Sequence, residues 1–224
     1  DGDFPTVVYP NPEEQEAMSM ALNQAEKINA DLVLATDPDA DRVGIAVKNS
    51  NGQFQLLNGN QTGVLIVYYL CKMWKEKGKL DGNQFVVKTI VTTELIKDIA
   101  ESFGIESYDT LTGFKFIAGL IRELEGKKKF IGGGEESYDY LIGDSVRDKD
   151  AVQACLFLSE MVGFYKQNNL TLIDILNQVY QTFGYFIEHT DNFFFEGFQG
   201  KEDMKQIKDE IKENMISAAQ TAGA

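Results

Sequence analysis

The sequence predicts an α/β protein built as tandem three-layer α/β/α domains with mixed, mostly parallel sheets, the first domain truncated. Three observations carry that expectation. Short runs rich in β-branched residues alternate with longer stretches whose apolar residues recur every three or four positions, the order expected when helices cover both faces of a sheet. The pattern restarts after Gly59 with a helix that is apolar on more than one side. The first 55 residues or so hold only one helix and two or three strands, too thin for a domain, so preceding sequence is expected.

The elements follow in order. A short strand at residues 6–9 precedes a helix in which Asn11 caps, Pro12 opens the first turn and Glu13 and Glu14 favour the dipole. Ala17, Met18, Ala21, Leu22, Ala25 and Ile28 mark its buried face, and it should end near Asn29. Strands at residues 32–35 and 43–48 flank an acidic loop, and Asn51-Gly52 makes a turn. The apolar helix spans residues 61–77, and a strand at 85–91 leads to a helix that begins around Thr93 and Glu94 and is stopped by Gly104. A strand at 105–108 precedes a helix opened by Thr112-Gly113. A strand at 129–132 runs into GGGEESYDYLIGDSVRDKD, and a helix at 150–167 closes this block. Beyond it, Thr171 with Asp174 starts a helix to about residue 181, and residues 185–196 read as extended, with the aromatic run Phe193, Phe194 and Phe195. Met204, Ile207, Ile211 and Met215 give a final helix at 201–219 a stripe that reads as core.

The chain has 224 residues, 43% hydrophobic and 25% charged, enough for a sizeable core. A formal charge of −14 argues against nucleic acid or an anionic membrane as partner, since both reward basic surface. No signal-peptide pattern opens the chain and no apolar run reaches membrane-spanning length. Cys71 and Cys155 lie in helical apolar stretches without a CxxC or histidine cluster, so both are expected as buried free thiols in a reducing, cytoplasmic compartment.

Chemistry concentrates in DPDADR. Asp37, Asp39 and Asp41 alternate where a strand gives way to a turn, so their short side chains can converge on one hard divalent cation, magnesium or calcium rather than zinc. Arg42 follows, a planar fork suited to a phosphate oxygen. The bland alternative is a solvated, capped turn. An EF-hand fails, because Arg42 and Lys48 stand where glycine and glutamate are needed. Carboxylate nucleophilic catalysis by Asp37, as in an aspartyl phosphatase, stays open, as does a noncatalytic metal- or sugar-phosphate-binding module.

In GGGEES, three glycines after a strand let the backbone turn sharply and approach a ligand, and Glu135 and Ser137, two apart, would point the same way if extended. A carboxylate beside a hydroxyl suits the vicinal hydroxyls of a sugar.

Taken together, DPDADR, TGFK, GGGEES and VRDKD, in this order and at these separations, resemble the α-D-phosphohexomutases. The resemblance spans nearly the whole chain and implies three segments: residues 1–55 as the C-terminal part of domain II with a metal-binding loop, 56–170 as domain III with a sugar-binding loop, and 171–224 as a linker and the start of the C-terminal region. It implies that Asp37, Asp39 and Asp41 hold Mg2+ and that Arg42 neutralises charge on a phosphoserine from elsewhere. Glu135 and Ser137 would orient the sugar, and Thr112, Gly113, Lys115 and Arg147 would line the same cleft. Ser137 is followed by Tyr138 and Asp139 rather than by histidine, and the one histidine, His189, lies well past this loop, which favours the glucose-type branch with Lys149 as acid-base group, its pKa lowered by burial near positive charge. Asp139 stands where the family usually has glycine, a position that would be strained if it needs positive φ. The implied partners are glucose 1-phosphate, glucose 6-phosphate, glucose 1,6-bisphosphate and the remaining domains of the same enzyme. Neither a TASHNP-like phosphoserine loop nor an RxSGTEP-like phosphate loop occurs here, so the chain alone is expected to be inactive. A half-domain at its start would leave apolar surface uncovered, which favours self-association.

Overall fold

The computed structural model describes residues 2–189, 195 and 197–222, with the side chains of 198 and 215–222 left undescribed. The chain forms two compact units, Asp1–Phe186 and Ile187–Ala224.

In the first unit α1 (Gln15–Lys27) precedes an antiparallel meander of β1 (Leu32–Thr36), β2 (Val43–Lys48) and β3 (Phe54–Leu57), with β2 central. Period-2 alternation gives this sheet two buried faces. Val33 and Ala46 pack on Met18 and Ala25 of α1, whereas Val43, Ile45 and Val47 face a larger core. That core is shared with the second sheet. It is built on α2 (Gly59–Glu76), β4 (Gln84–Thr89), α3 (Leu95–Ser102), β5 (Glu106–Thr110), α4 (Phe114–Leu124), β6 (Lys129–Glu135), β7 (Asp139–Ile142), α5 (Ala151–Gln167) and α6 (Leu172–Phe183). Strand order is β5-β4-β6-β7, with β4 parallel to both neighbours and β7 antiparallel to β6. Val86 and Ile131 meet α2 and α3 on one face, while Phe85, Val87 and Phe130 meet Phe114, Ile117 and Ile121 of α4 on the other. The α/β class with mixed sheets is therefore as expected, with parallel pairing confined to the second sheet. The crossover through α3 carries β4 outward to β5 and the one through α4 returns past β4 to β6 on its other side, so the carboxyl ends of β4 and β6 form a switch point, where α/β sheets open a crevice.

Several expectations change. Residues 6–9 are turns and bends rather than a strand, because β1 and β3 pair only with β2 and neither edge takes the segment up. The first helix starts at Gln15, since the Asn11 side chain instead accepts from Glu13 N at 3.0 Å and closes a turn. Its end comes two residues early, leaving Ile28 exposed. β4 stops at Thr89, where Thr92 N turns back onto Thr89 O at 3.1 Å, so Ile90 and Val91 are exposed. Cys71 is buried but Cys155 only partly so, and both are free thiols. The largest change concerns the glycines of GGGEES, which lie inside β6 rather than in a loop. A Cβ on Gly133 would fall 2.0 Å from Val87 O, so small residues here serve strand packing. The turn comes at 136–138, where Tyr138, not Asp139, takes positive φ at 69°. The segment TYR-LEU-ILE at 140–142 then returns as β7, a strand the sequence reading passed over.

In the second unit α7 (Gly197–Ala222) carries Met204, Ile207 and Ile211, all exposed. They are not core within this unit, where among the described residues α7 has no second element to pack its stripe against. Met215 lies among the undescribed side chains, and Phe193 and Phe194 lie outside the described residues.

Candidate functional site

The site begins with a turn that organises itself. Asp37 Oδ1 accepts from Asp41 N at 3.0 Å and from Arg42 N at 2.9 Å, and Ala40 supports the tight bend with φ of 57°. This local hydrogen bonding is why alternate aspartates bring their side chains to one side of the loop. One carboxylate oxygen from each of Asp37, Asp39 and Asp41 lies within 4.8 Å of the others. Octahedral Mg2+ at about 2.1 Å from each ligand puts ligand oxygens about 3 to 4.2 Å apart, so these oxygens fit one ion with little adjustment.

The acid loop is joined through the main chain to the hairpin that carries Glu135 and Ser137. Val43 N donates to Tyr138 O at 3.1 Å, and Arg42 bridges antiparallel to Asp139, which pairs across the hairpin with Glu135. Ala151 N donates to Ala40 O at 3.1 Å, tying the start of α5 to the same loop. The hairpin turn rests on α2, where a Cβ at Gly59 would meet Glu136 O at 1.7 Å. Glu136 Oε2 also accepts from Thr89 Oγ1 at 3.1 Å and Thr92 Oγ1 at 2.8 Å, so the carboxyl end of β4 and the loop after it hold the turn that follows β6.

Asp139 is the electrostatic centre of this junction. It is 2% exposed, Oδ2 accepts from Ser137 Oγ at 2.9 Å, and Oδ1 lies 3.7 Å from both Arg42 Nε and Lys149 Nζ without a hydrogen bond. Burial pushes its carboxyl up to about 6, although Ser137, Lys149 and Arg42 pull the other way. Arg42 also pairs with Glu13 Oε1 at 2.8 Å and approaches Asp37 and Asp41 at 3.9 Å. Five carboxylates, those of Glu13, Asp37, Asp39, Asp41 and Asp139, thus stand around two cations, an excess of negative charge suited to a divalent ion. Within it Asp37 titrates high because of burial, whereas at Asp41 burial, the largest single influence, is outweighed jointly by the hydrogen bonds with Lys149 and Asp37 and the charges of Lys149 and Arg42, and its carboxyl is lowered.

Lys149 sits at this site, with Nζ 2.6 Å from Asp41 Oδ2. Its pKa is raised rather than lowered: burial alone would lower it, but the bond to Asp41 and the charge of Asp139 prevail. Glu135 is buried and its Oε1 accepts from Gly113 N at 2.7 Å, so Gly113 meets this carboxylate at the start of α4. Because Ser137 lies in the turn, it does not share Glu135's strand alternation and bonds Asp139 instead. Thr112 and Lys115 are exposed, the latter over the Phe116 ring at 5.0 Å. Arg147 binds Glu125 Oε1 at 2.6 Å, beyond the far end of α4 from Gly113, and the structure does not bring it to the junction. Glu13, Glu136 and the junction role of Asp139 escaped sequence reasoning. Glu13 is 29 residues from its partner and leaves no local signal, but Tyr140, Leu141 and Ile142 before Gly143 were a readable strand cue.

Comparison with known proteins places the chain. Residues 58–183 match the family model "Phosphoglucomutase/phosphomannomutase, alpha/beta/alpha domain III", and residues 1–52 match that of domain II. A phosphoglucomutase of Staphylococcus aureus (strain USA300) is 38% identical over 217 residues, covering 96% of this chain and 38% of the relative. One from Staphylococcus haemolyticus is 35% identical over 215 residues, with the same coverage of 96% and 38%. The chain thus spans about 38% of the length of these relatives. Among solved structures, a phosphoglucomutase/phosphomannomutase family protein from Burkholderia thailandensis shares the fold with a TM-score of 0.62 at 19% identity, over 80% of this chain and 35% of that one. The Paramecium phosphoglucomutase parafusin does so with 0.58 at 22% identity, over 78% and 30%.

Proposed function

The chain belongs to the phosphoglucomutase/phosphomannomutase family, and from that premise we propose that it supplies the metal-binding and sugar-binding loops of an enzyme interconverting hexose 1-phosphate and hexose 6-phosphate. The ranges matched by the family models support residues 1–55 as the end of domain II and a domain III that begins near residue 56 and takes in α6, whose Leu172 and Ile175 pack in the shared core. The observation that carries the reading is the main-chain junction itself, Val43 N to Tyr138 O at 3.1 Å, which holds the acid loop beside the hairpin of Glu135 and Ser137.

Asp37, Asp39 and Asp41 hold Mg2+, which when bound supplies electrostatic stabilisation to a transferring phosphoryl group. Arg42, already oriented by Glu13 and Asp139, presents fixed positive charge to phosphate oxygens. Glu135 accepts from sugar hydroxyls with its position fixed by Gly113 N. Ser137 donates its hydroxyl proton to Asp139 and so offers lone pairs to the sugar. Lys149 is the acid-base group at the reacting sugar oxygen: its ammonium, stabilised by Asp41 and Asp139, donates a proton to the departing oxygen, and the amine so formed takes the proton of the hydroxyl that attacks in the next transfer. The phosphoserine and the phosphate-gripping loop come from other domains of the enzyme, which works in the cytoplasm on glucose 1-phosphate and glucose 6-phosphate through glucose 1,6-bisphosphate. The chain alone binds and does not turn over.

The test is calorimetric titration of the chain with glucose 1,6-bisphosphate in Mg2+, beside a coupled assay for glucose 6-phosphate formation. Binding that is lost in Glu135→Ala and Ser137→Ala, with no turnover, is the expected result. Unchanged affinity in both variants contradicts the sugar-loop assignment, and phosphate release from a sugar phosphate by the chain alone points instead to Asp37 as a nucleophile.

A further inference from the structure

Asp139 poses a problem that the roles above leave unsolved. A carboxylate buried to 2% exposure has one oxygen, Oδ1, with no hydrogen-bond partner, although two cations lie 3.7 Å from it. Buried acceptors are almost always satisfied, because leaving one unpaired forfeits its hydration for nothing. Arg42 is not free to satisfy it: Nη1 is committed to Glu13 at 2.8 Å, and the main chain of Arg42 is fixed by the bridge to Asp139 and by the turn bond to Asp37. Lys149 is different. Its ammonium is engaged 2.6 Å from Asp41 Oδ2, on a flexible stem, and a shift of about 1 Å brings it from 3.7 Å to hydrogen-bond distance of Asp139 Oδ1.

Asp41 is also one of the three carboxylates placed to hold a divalent cation. An ammonium and a divalent ion on one carboxylate repel each other, and Mg2+ tolerates little departure from its short ligand distances. We propose that Asp139 is the acceptor to which Lys149 transfers when a divalent cation takes Asp41, so that this carboxylate ties occupancy of the acid loop to the hairpin carrying Glu135 and Ser137. The inference rests on the metal-site reading of the acid loop. It accounts for the unpartnered oxygen and for the placement of Lys149 between two carboxylates. Asp139 is a positioning residue here: it acts through Lys149 on one side and through the Ser137 hydroxyl, held at 2.9 Å, on the other.

The experiment is calorimetric titration of the full chain with Mg2+ alone, for wild type, Asp139→Asn, Lys149→Met and the double variant, each checked for an intact cooperative melt. Transfer predicts that Asp139→Asn weakens Mg2+ binding on the order of tenfold, because Lys149 has nowhere to go. It predicts that Lys149→Met strengthens binding by removing the competitor. The deciding quantity is the coupling: in the Lys149→Met background Asp139→Asn should change Mg2+ affinity less than twofold. Equal weakening by Asp139→Asn in both backgrounds overturns the transfer, since that is simple loss of a nearby charge. Absence of Mg2+ binding by wild type and Lys149→Met alike overturns the metal-site reading and the transfer with it. If Asp139→Asn does not melt cooperatively, Lys149→Met still decides: unchanged or weaker Mg2+ binding by that variant alone overturns the transfer.

Discussion

Two clusters of charge near the carboxyl ends of the strands are built on opposite plans. Lys88 at the end of β4 is fully buried, and its ammonium has four acceptors: Glu94 Oε1 at 2.7 Å, Asp109 Oδ1 at 2.9 Å, Thr92 O at 3.2 Å and Thr89 O at 3.3 Å. A cation with more acceptors than protons is closed to further ligands. The junction around Asp139 has the reverse composition, with carboxylates outnumbering cations and one buried oxygen unpartnered. The comparison teaches that saturation separates the two: the first cluster ties the 90–94 loop to β5, and the second is left short of positive charge, which the proposed metal ion would supply.

The comparison breaks first at Lys88. Lys88→Met strands two carbonyls and two carboxylates, and because Glu94 and Asp109 stay 54% and 42% exposed the loss should be about 2 kcal/mol, below the range for a fully buried pair. Chemical denaturation checks it, and a change under 0.5 kcal/mol would make the cluster incidental. At the junction Asp139→Asn should do the opposite. Burial raises its folded pKa from 3.8 to about 6, so the folded state holds the proton more tightly and wild-type stability falls as pH rises between those values, then levels off. Relative to wild type, Asp139→Asn should therefore gain on the order of 2 kcal/mol between pH 4 and pH 7, read from urea midpoints at each pH. A flat difference across that range removes the desolvation argument. Asp37→Ala forfeits the acceptor for Asp41 N and Arg42 N and should cost about 1 kcal/mol by the same measurement. Smallest is Asp39→Asn: this exposed side chain should change metal-free stability by less than about 0.5 kcal/mol, yet abolish the rise in melting temperature that Mg2+ gives wild type.

Much of this was legible in the sequence, for reasons that also explain what was not. Capping at Thr171 and Asp174 and the helix around Val64 to Cys71 were readable because their signals are local. The acid loop was readable because Asp37 bonds amides four and five residues on. Gly132, Gly133 and Gly134 misled, since a glycine that yields to the neighbouring strand looks the same in sequence as one that makes a turn. Lys149 does reach the junction, but its pKa is raised where the sequence led to an expected lowering, because the shift depends on Asp41 and Asp139 rather than on its own neighbours. The junction itself, from Val43 to Tyr138, is a tertiary contact between residues 95 positions apart and had no local trace.

The central claim is that one cation-binding loop and one hydroxyl-reading hairpin form a single site. Addition of substoichiometric Mn2+ to the labelled chain, with paramagnetic broadening read at each backbone amide, tests it most directly. Residues 37–42 should broaden first, together with Tyr138, Asp139 and Lys149, and Asp39→Asn should abolish the effect. Broadening confined to other acidic surface, such as Asp209, Glu210 and Glu213 of α7, with the loop and hairpin untouched, would contradict it.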